Sequence, residues 1–437
     1  MIMPRKVIVL CVAAFVLTLV VLGVVLDLDA PDDGSPGSAA SASVAARDTA
    51  RGTQARIAKL QLAARQRPND AEPLVGLAAA LLQSVRETGD LSAYQRADRA
   101  IAGALRRDAS SAAAYTERGI LRLARHDFRG ALVDGRQAHK LAPESVTPLG
   151  VLVDANVELG RYEDAERTLQ RMVNLKPNLA SYARVAYYRE LRGDLDGASV
   201  ALALAASAGG EAPENVAYVQ ALMGNVELAQ GRAKQARRAF EAAVAKFPLY
   251  APAQAGLARL DVADGDLAPA IARLRGVVER LPLQEYVVAL GEIELAAGRG
   301  DDGRRTLGLV RAQQRLLGAA GVNTDAELAT YEADHGDARR AVKLARAAWA
   351  NAPSVRSADA LGWALTRAGD PRAGLKYGRR ALRLGSRDAS FLFHAGMSAR
   401  AAGRRAEARR LLRDALAANP GFSPLHAATA RRALDEL

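Results

Sequence analysis

One cysteine in 437 residues, five histidines and 5% aromatics set the first limits on this chain. With Cys11 alone no internal disulfide can form, and no thiolate set can hold a zinc ion. The histidines, His126, His139, His335, His394 and His426, include no pair at the H-E-x-x-H spacing, so metal-assisted hydrolysis has no ligand set. There is no G-x-S-x-G or P-loop either, which leaves no nucleophile elbow and no P-loop phosphate cradle. Carboxylates such as Asp301, Asp302, Asp334 and Asp337 fall at turns, where they read as helix caps. His126, His139, His335 and His426 read as surface or helix-end residues, and His394 stands apart among the groove candidates, where one histidine cannot assemble a mechanism. No enzyme is expected, and no catalytic residue, cofactor-binding residue or metal ligand is assigned.

What the chain does have is a period. Ala131 and Ala165 lie 34 residues apart, as do Pro143 and Pro177, Ala236 and Ala270, and Pro248 and Pro282. Self-similarity at such a spacing marks stacked supersecondary units, and it overrides the three-domain estimate that length alone would give. The small residues Ala131, Ala165, Ala236 and Ala270 suit the crossing of two helices within a unit. Leu169, Phe240, Leu274 and Leu412 fill the remaining space from the second helix. Gly160, Gly193, Gly231, Gly265, Gly298, Gly336, Gly369 and Gly403 are expected to end first helices in the left-handed conformation. Proline then stops the second helix.

In this register ten helix-turn-helix units span 71–422, opening at residues 71, 112, 146, 180, 217, 251, 285, 322, 356 and 389. A capping helix within 47–70 precedes them and another within 423–437 closes the array. The expected architecture is all-α, with each unit packed only on its neighbours, so that a whole unit such as 217–250 could be removed cleanly.

The amino terminus carries a different signal. After the short basic segment 1–6 comes an uncharged apolar run from Val7 to Leu26, and twenty helical residues span about 30 Å, the thickness of a bilayer core. Arg5 and Lys6 precede the run, while Asp27, Asp29, Asp32 and Asp33 follow it. Positive charge stays inside, so 7–26 reads as a single-pass transmembrane signal anchor with the array extracytoplasmic. A cleaved signal peptide is the competing reading, although its small-x-small site, Ala40-Ser41-Ala42, lies far downstream. Residues 27–46 read as a flexible linker, about 25 Å end to end.

The unit 146–179, with Leu149, Leu152, Ala165, Leu169 and Pro177 in register, and the unit 217–250, with Gly224, Gly231, Ala236, Phe240 and Pro248, resemble the tetratricopeptide repeat. The resemblance covers 71–422 and implies a right-handed superhelical solenoid whose first helices line a concave groove for a partner protein or peptide. It extends to bacterial envelope proteins tied to the membrane by one amino-terminal helix, which serve as scaffolds. The carboxylate clamp of heat-shock co-chaperones is absent, since its places hold residues such as Thr116, Gly150, Ala183 and Ala221. Helix geometry offers Arg184, Tyr187, Asn225 and Arg259 as protruding groove residues in the middle units. Toward the carboxy end it offers Trp363, Arg367, Phe393, His394 and Met397, with space-filling between units as the alternative for Trp363 and Phe393.

The net charge of +12 raises nucleic acid as a partner. The extracytoplasmic expectation and the absence of recurring aromatics beside the Arg pairs argue against it. Arg237-Arg238, Arg339-Arg340, Arg379-Arg380 and Arg409-Arg410 read instead as a solvated convex face, or as a contact for anionic lipid or cell-wall polymer. The leading expectation is a membrane-tethered interaction scaffold. The alternatives are an auxiliary subunit of an envelope enzyme or cofactor-assembly system, and a basic nucleic-acid-binding or regulatory adaptor.

Overall fold

The computed structural model describes residues 39–209 and 213–437, with side chains from residue 51 onward. The apolar run 7–26 and Gly210 lie outside the described residues. Within them every regular element is a helix, 22 in all, and none is long and apolar enough to cross a membrane.

The first helix, α1 (Ala39–Gln66), begins inside the stretch read as linker. The alanine-rich sequence from Ala39 to Ala46 has the helix propensity to extend it that far. Ten helix pairs follow: α2 (Glu72–Thr88) with α3 (Ser92–Arg107), α4 (Ala112–Ala124) with α5 (Phe128–Leu141), and α6 (Thr147–Glu158) with α7 (Tyr162–Leu175). Next come α8 (Leu179–Leu191) with α9 (Leu195–Ala208), α10 (Pro213–Ala229) with α11 (Ala233–Lys246), and α12 (Ala251–Ala263) with α13 (Leu267–Arg280). The last four are α14 (Gln284–Ala296) with α15 (Gly300–Ala319), α16 (Asp325–His335) with α17 (Ala338–Asn351), α18 (Val355–Arg367) with α19 (Pro371–Ala381), and α20 (Ala389–Ala401) with α21 (Arg405–Ala418). Helix α22 (His426–Asp435) closes the array.

The turns inside the units follow the glycine logic with one exception. Gly160, Gly231 and Gly403 sit at φ of 69°, 71° and 74°, where a side chain would be strained. Gly336 instead has φ −134°. There the Glu332 carboxylate accepts the Asp337 amide at 3.0 Å and shapes the turn. In the second unit His126, at φ 59°, takes the glycine's place. Ala131, Ala165, Ala236 and Ala270 are wholly buried where helices cross. The buried Phe240 ring lies so close to Gly224 and Gly256 that a Cβ at either would come within 2.5 Å or 2.4 Å of it.

The array does not stay one-dimensional. Its early units meet later ones about 200 residues on, along a seam formed by intra-unit turns on one side and loops between units on the other. Arg125 donates to the Ala320 carbonyl at 3.1 Å, and its own carbonyl accepts the Asn323 amide at 3.0 Å. Arg129 donates to the Ala350 carbonyl at 2.8 Å. Tyr162 accepts the Val355 amide at 2.8 Å, and Arg383 donates to the Gly160 carbonyl at 3.3 Å. The seam is also apolar: Leu121 and Leu149 share a buried cluster with Leu317, Val322 and Ala352. Nearest-neighbour packing alone is therefore a wrong description of this chain, and excising 217–250 would shift the two sides of the seam out of register.

Candidate functional site

Where the two turns of the array close on each other they leave a cavity of about 280 Å³ on the inner side. Helices α6 and α8 bring Glu158, Tyr187 and Glu190 to it from the early turn, and α10 and α12 bring Asn225 and Arg259. From the later turn it receives the beginnings of α18 and α20, with Arg356, Asp359, Asp388 and His394. Ser354 caps α18 by accepting the Ser357 amide. Asp388 caps α20 by accepting the amides of Ser390 and Phe391 at 2.8 Å and 3.1 Å. Both helix N-termini thus bring their positive dipole ends to this region.

At the middle of the cavity Arg356 crosses the seam. Its Nη2 and Nε donate to the Tyr187 hydroxyl at 2.7 Å and 3.1 Å, its guanidinium lies 5.6 Å from the centre of the Tyr187 ring, and Glu158 stands 4.0 Å away. Burial pushes the Tyr187 phenol well up, which keeps it neutral. Burial would lower Arg356, but Tyr187 and Glu158 outweigh it and raise the group. Glu190 faces the same space with its carboxyl pushed up to about 7, by burial first and by the nearby Asp388 second, with Arg356 opposing. Glu158 is raised by burial against the pull of Arg356. The site therefore holds carboxyl groups of weakened acidity around the Arg356 guanidinium, a setting rich in hydrogen-bond acceptors.

Of the nine groove residues expected from sequence, Tyr187, Asn225, Arg259 and His394 line this cavity. None of the four simply protrudes: Arg259 donates to the Asn225 side chain, and buried His394 pairs with Asp359 at 2.9 Å. Its imidazole is raised despite burial because the Asp359 carboxylate favours the charged form. Arg184 is buried too, 4% exposed. It makes a bidentate pair with Asp154 at 2.8 Å and 2.7 Å, because a guanidinium with so little water needs a carboxylate.

The carboxy-terminal candidates serve packing. Trp363 stacks on His394 at 4.6 Å and donates to Asp334 at 2.8 Å. Phe393, 1% exposed, stacks on His426 at 4.6 Å. Arg367 donates to the Ala333 carbonyl at 2.9 Å, and Met397 packs against the terminal core. His335 is the last residue of α16 and His426 the first of α22, the helix ends expected of them, and each is also held by a carboxylate, Glu292 at 2.9 Å and Asp334 at 3.2 Å. The Arg pairs are also partly engaged: Arg379 grips Glu407 at 2.9 Å and 2.7 Å, and Arg237 bridges Asp261 and Asp264.

The family model of the tetratricopeptide repeat matches residues 122–186 and 227–290, and the helix-pair architecture runs through the described chain on both sides of them. The chain carries tetratricopeptide repeats. Among solved structures it is similar to a monomeric IFIT1 mutant with Gppp-AAAA, at 17% identity, 76% coverage of each chain and a TM-score of 0.49. A human IFIT1 dimer with m7Gppp-AAAA aligns at 17% identity over 76% of this chain and 77% of its own, TM-score 0.47. PilW, a type IV pilus biogenesis factor, aligns at 17% identity over 46% of this chain and 92% of its own, TM-score 0.39. Likenesses this remote carry no argument about ligands. No curated protein matches the chain. In this tetratricopeptide-repeat array the residues that sequence reasoning missed are Glu158, Glu190, Arg356 and Asp388. One signal was there to read: Glu158 and Glu190 occupy last turns of first helices, where the macrodipole disfavours an acid.

Proposed function

We propose that the protein is a non-enzymatic interaction scaffold that holds a segment of a partner protein against the inner cavity, tethered to the membrane by residues 7–26 with the right-handed repeat array outside the cytoplasm. Tetratricopeptide repeats generally mediate protein–protein interaction. The observation that carries the reading is the cavity between Tyr187, Glu190 and Arg356, where side chains from both turns of the array converge on one unfilled space. Hydrogen-bonding groups from several helices around a concave space are what peptide recognition requires. The charge asymmetry around 7–26 supports the tether. Contact of the outer Arg side chains with anionic lipid or cell-wall polymer would be secondary to it.

A photo-crosslinking residue at Thr330, on the cavity wall, tests the binding mode in cells. It should capture one partner chain that the same residue at the exposed Arg238 does not. Equal capture from both positions would overturn the cavity as the working face. A reporter fused after Leu437 that is active only outside the cytoplasm tests the tether, and activity of a cytoplasmic reporter instead would refute it.

A further inference from the structure

A second cavity, of about 240 Å³, lies on the seam between the first unit and units four to eight. Its volume is below the roughly 300 to 1,000 Å³ of pockets that take whole drug-sized ligands, so it suits an occupant the size of one or two side chains. Five aromatic rings stand on its wall: Tyr94, Tyr218, Phe247, Tyr250 and Tyr286. Three carboxyl groups join them, Glu87, Glu214 and Glu285, against two guanidinium groups, Arg86 and Arg280. Arg280 is already committed, donating to the carbonyls of Gly276 and Leu249 at 3.0 Å each.

Among the described residues, the Tyr218 hydroxyl and Glu87 Oε2 on this wall are withdrawn from solvent and find no hydrogen-bond partner. The other oxygen of Glu87 accepts from Gln83 at 2.8 Å and from Thr53 at 3.0 Å. Gln83 also donates to Glu214 at 2.6 Å. One amide thus bridges two carboxyl groups from opposite sides of the seam, and among the described residues no cation bonds either of them. Burial raises Glu87, and the neighbouring Glu214 raises it further. Orphaned buried polar atoms are uncommon in folded proteins and call for an occupant. Here it must donate to a carboxylate oxygen and rest on aromatic faces, two demands met together by a cation.

We propose that this cavity is a binding site for a primary ammonium or guanidinium group on a short apolar stem. The charged head sits between Glu87 and Glu214, donating to Glu87 Oε2 and within reach of the Tyr218 hydroxyl, and the stem lies against the tyrosine rings. Because the walls come from both turns of the array, an occupant also pins the seam. The site is separate from the inner cavity, and this assignment stands whether or not that cavity holds a partner segment.

Calorimetric titration of the full chain with agmatine tests it, with n-butanol and butyrate as neutral and anionic controls and an end-blocked Gly-Arg-Gly peptide as a second arm. Agmatine should bind saturably with a dissociation constant at or below about 1 mM, and the controls should not. Binding of agmatine alone assigns the site to a small free cation; binding of the peptide as well assigns it to an arginine side chain of a partner. Glu87→Gln should weaken agmatine about tenfold, and Glu214→Gln serves the same purpose if the first variant folds poorly. Tyr218→Phe should weaken agmatine while leaving the melting temperature of the free protein unchanged or higher, since it removes an unpaired hydroxyl. A residue kept only for packing would give no such split. No saturable binding by either cation, equal binding of butanol or butyrate, or unaltered affinity in folded Glu87→Gln and Glu214→Gln would each overturn the assignment and leave the cavity to water.

Discussion

Tyr187 and Arg356, 169 residues apart in sequence, share two hydrogen bonds and a cation–ring contact across the seam of the array. The pair joins the fourth unit to the ninth. Arg356 is only partly exposed, so it depends on that phenol and on Glu158 for what water would otherwise supply. Tyr187→Phe should lower stability by about 1 to 3 kcal/mol, the cost of leaving a charged group short of an acceptor. Urea unfolding checks this, and an unchanged midpoint would mean that the guanidinium is satisfied elsewhere.

Two glycines of equal backbone strain separate the seam from the turn. Gly160 and Gly231 have φ of 69° and 71°, so alanine at either bears a similar left-handed penalty, about 1 kcal/mol. At Gly231 nothing lies within 4 Å of the added Cβ, whereas at Gly160 the Pro353 carbonyl oxygen stands at 2.3 Å. Gly160→Ala should therefore be worse than Gly231→Ala by about 1 to 3 kcal/mol, as overpacking at a fitted contact usually is. Equal losses in thermal denaturation would argue that the two turns of the array do not touch there.

Glu117 makes stability depend on pH. Burial pushes its carboxyl up to about 7, against the partial help of Arg86 and Arg56. The folded-state value lies above that of the unfolded chain, so the folded state binds more protons between the two. Stability from this group then falls as pH rises from about 4.5 to about 7 and is level beyond. Glu117→Gln should raise the melting temperature at pH 8 relative to wild type, by an amount equivalent to about 2 to 3 kcal/mol, and change it little at pH 4.5.

The His394–Asp359 pair has the same pH direction from the base. The imidazole is raised in the folded state, so its stabilisation is complete below the ordinary histidine value and is lost as pH rises through the folded value. Asp359→Asn should consequently cost more at pH 6 than at pH 9, read from paired denaturant curves. A cost independent of pH would show that His394 stays neutral in the fold.

The repeat was legible because a period of 34 residues recurs in small residues, turn glycines and prolines, each fixed by local geometry. Helical rotation within a single unit puts Tyr187, Asn225 and Arg259 on one face, and all three stand on the cavity wall. The seam was not legible, since contacts such as Tyr162 with Val355 join positions 193 residues apart and leave no mark on any short window. That is also why Arg356 and Asp388 escaped notice: each is an ordinary residue at the start of a helix until a second turn of the array is laid against it. Trp363 and Phe393 were ambiguous for a related reason. Their rings became packing residues only when His426, on the terminal helix, folded over them.

Closure of the array onto itself is the central claim, because both cavities exist only between its two turns. Val355 opens α18, where its amide has no carbonyl within the helix to bond, and among the described residues its partner is the Tyr162 hydroxyl at 2.8 Å. Amide hydrogen exchange at Val355, compared between wild type and Tyr162→Phe, tests the claim most directly. The account predicts slow exchange in wild type and markedly faster exchange in the variant, with the interior amides of α18 unaffected. Fast exchange at Val355 in the wild-type protein, or identical rates in the two, would contradict it.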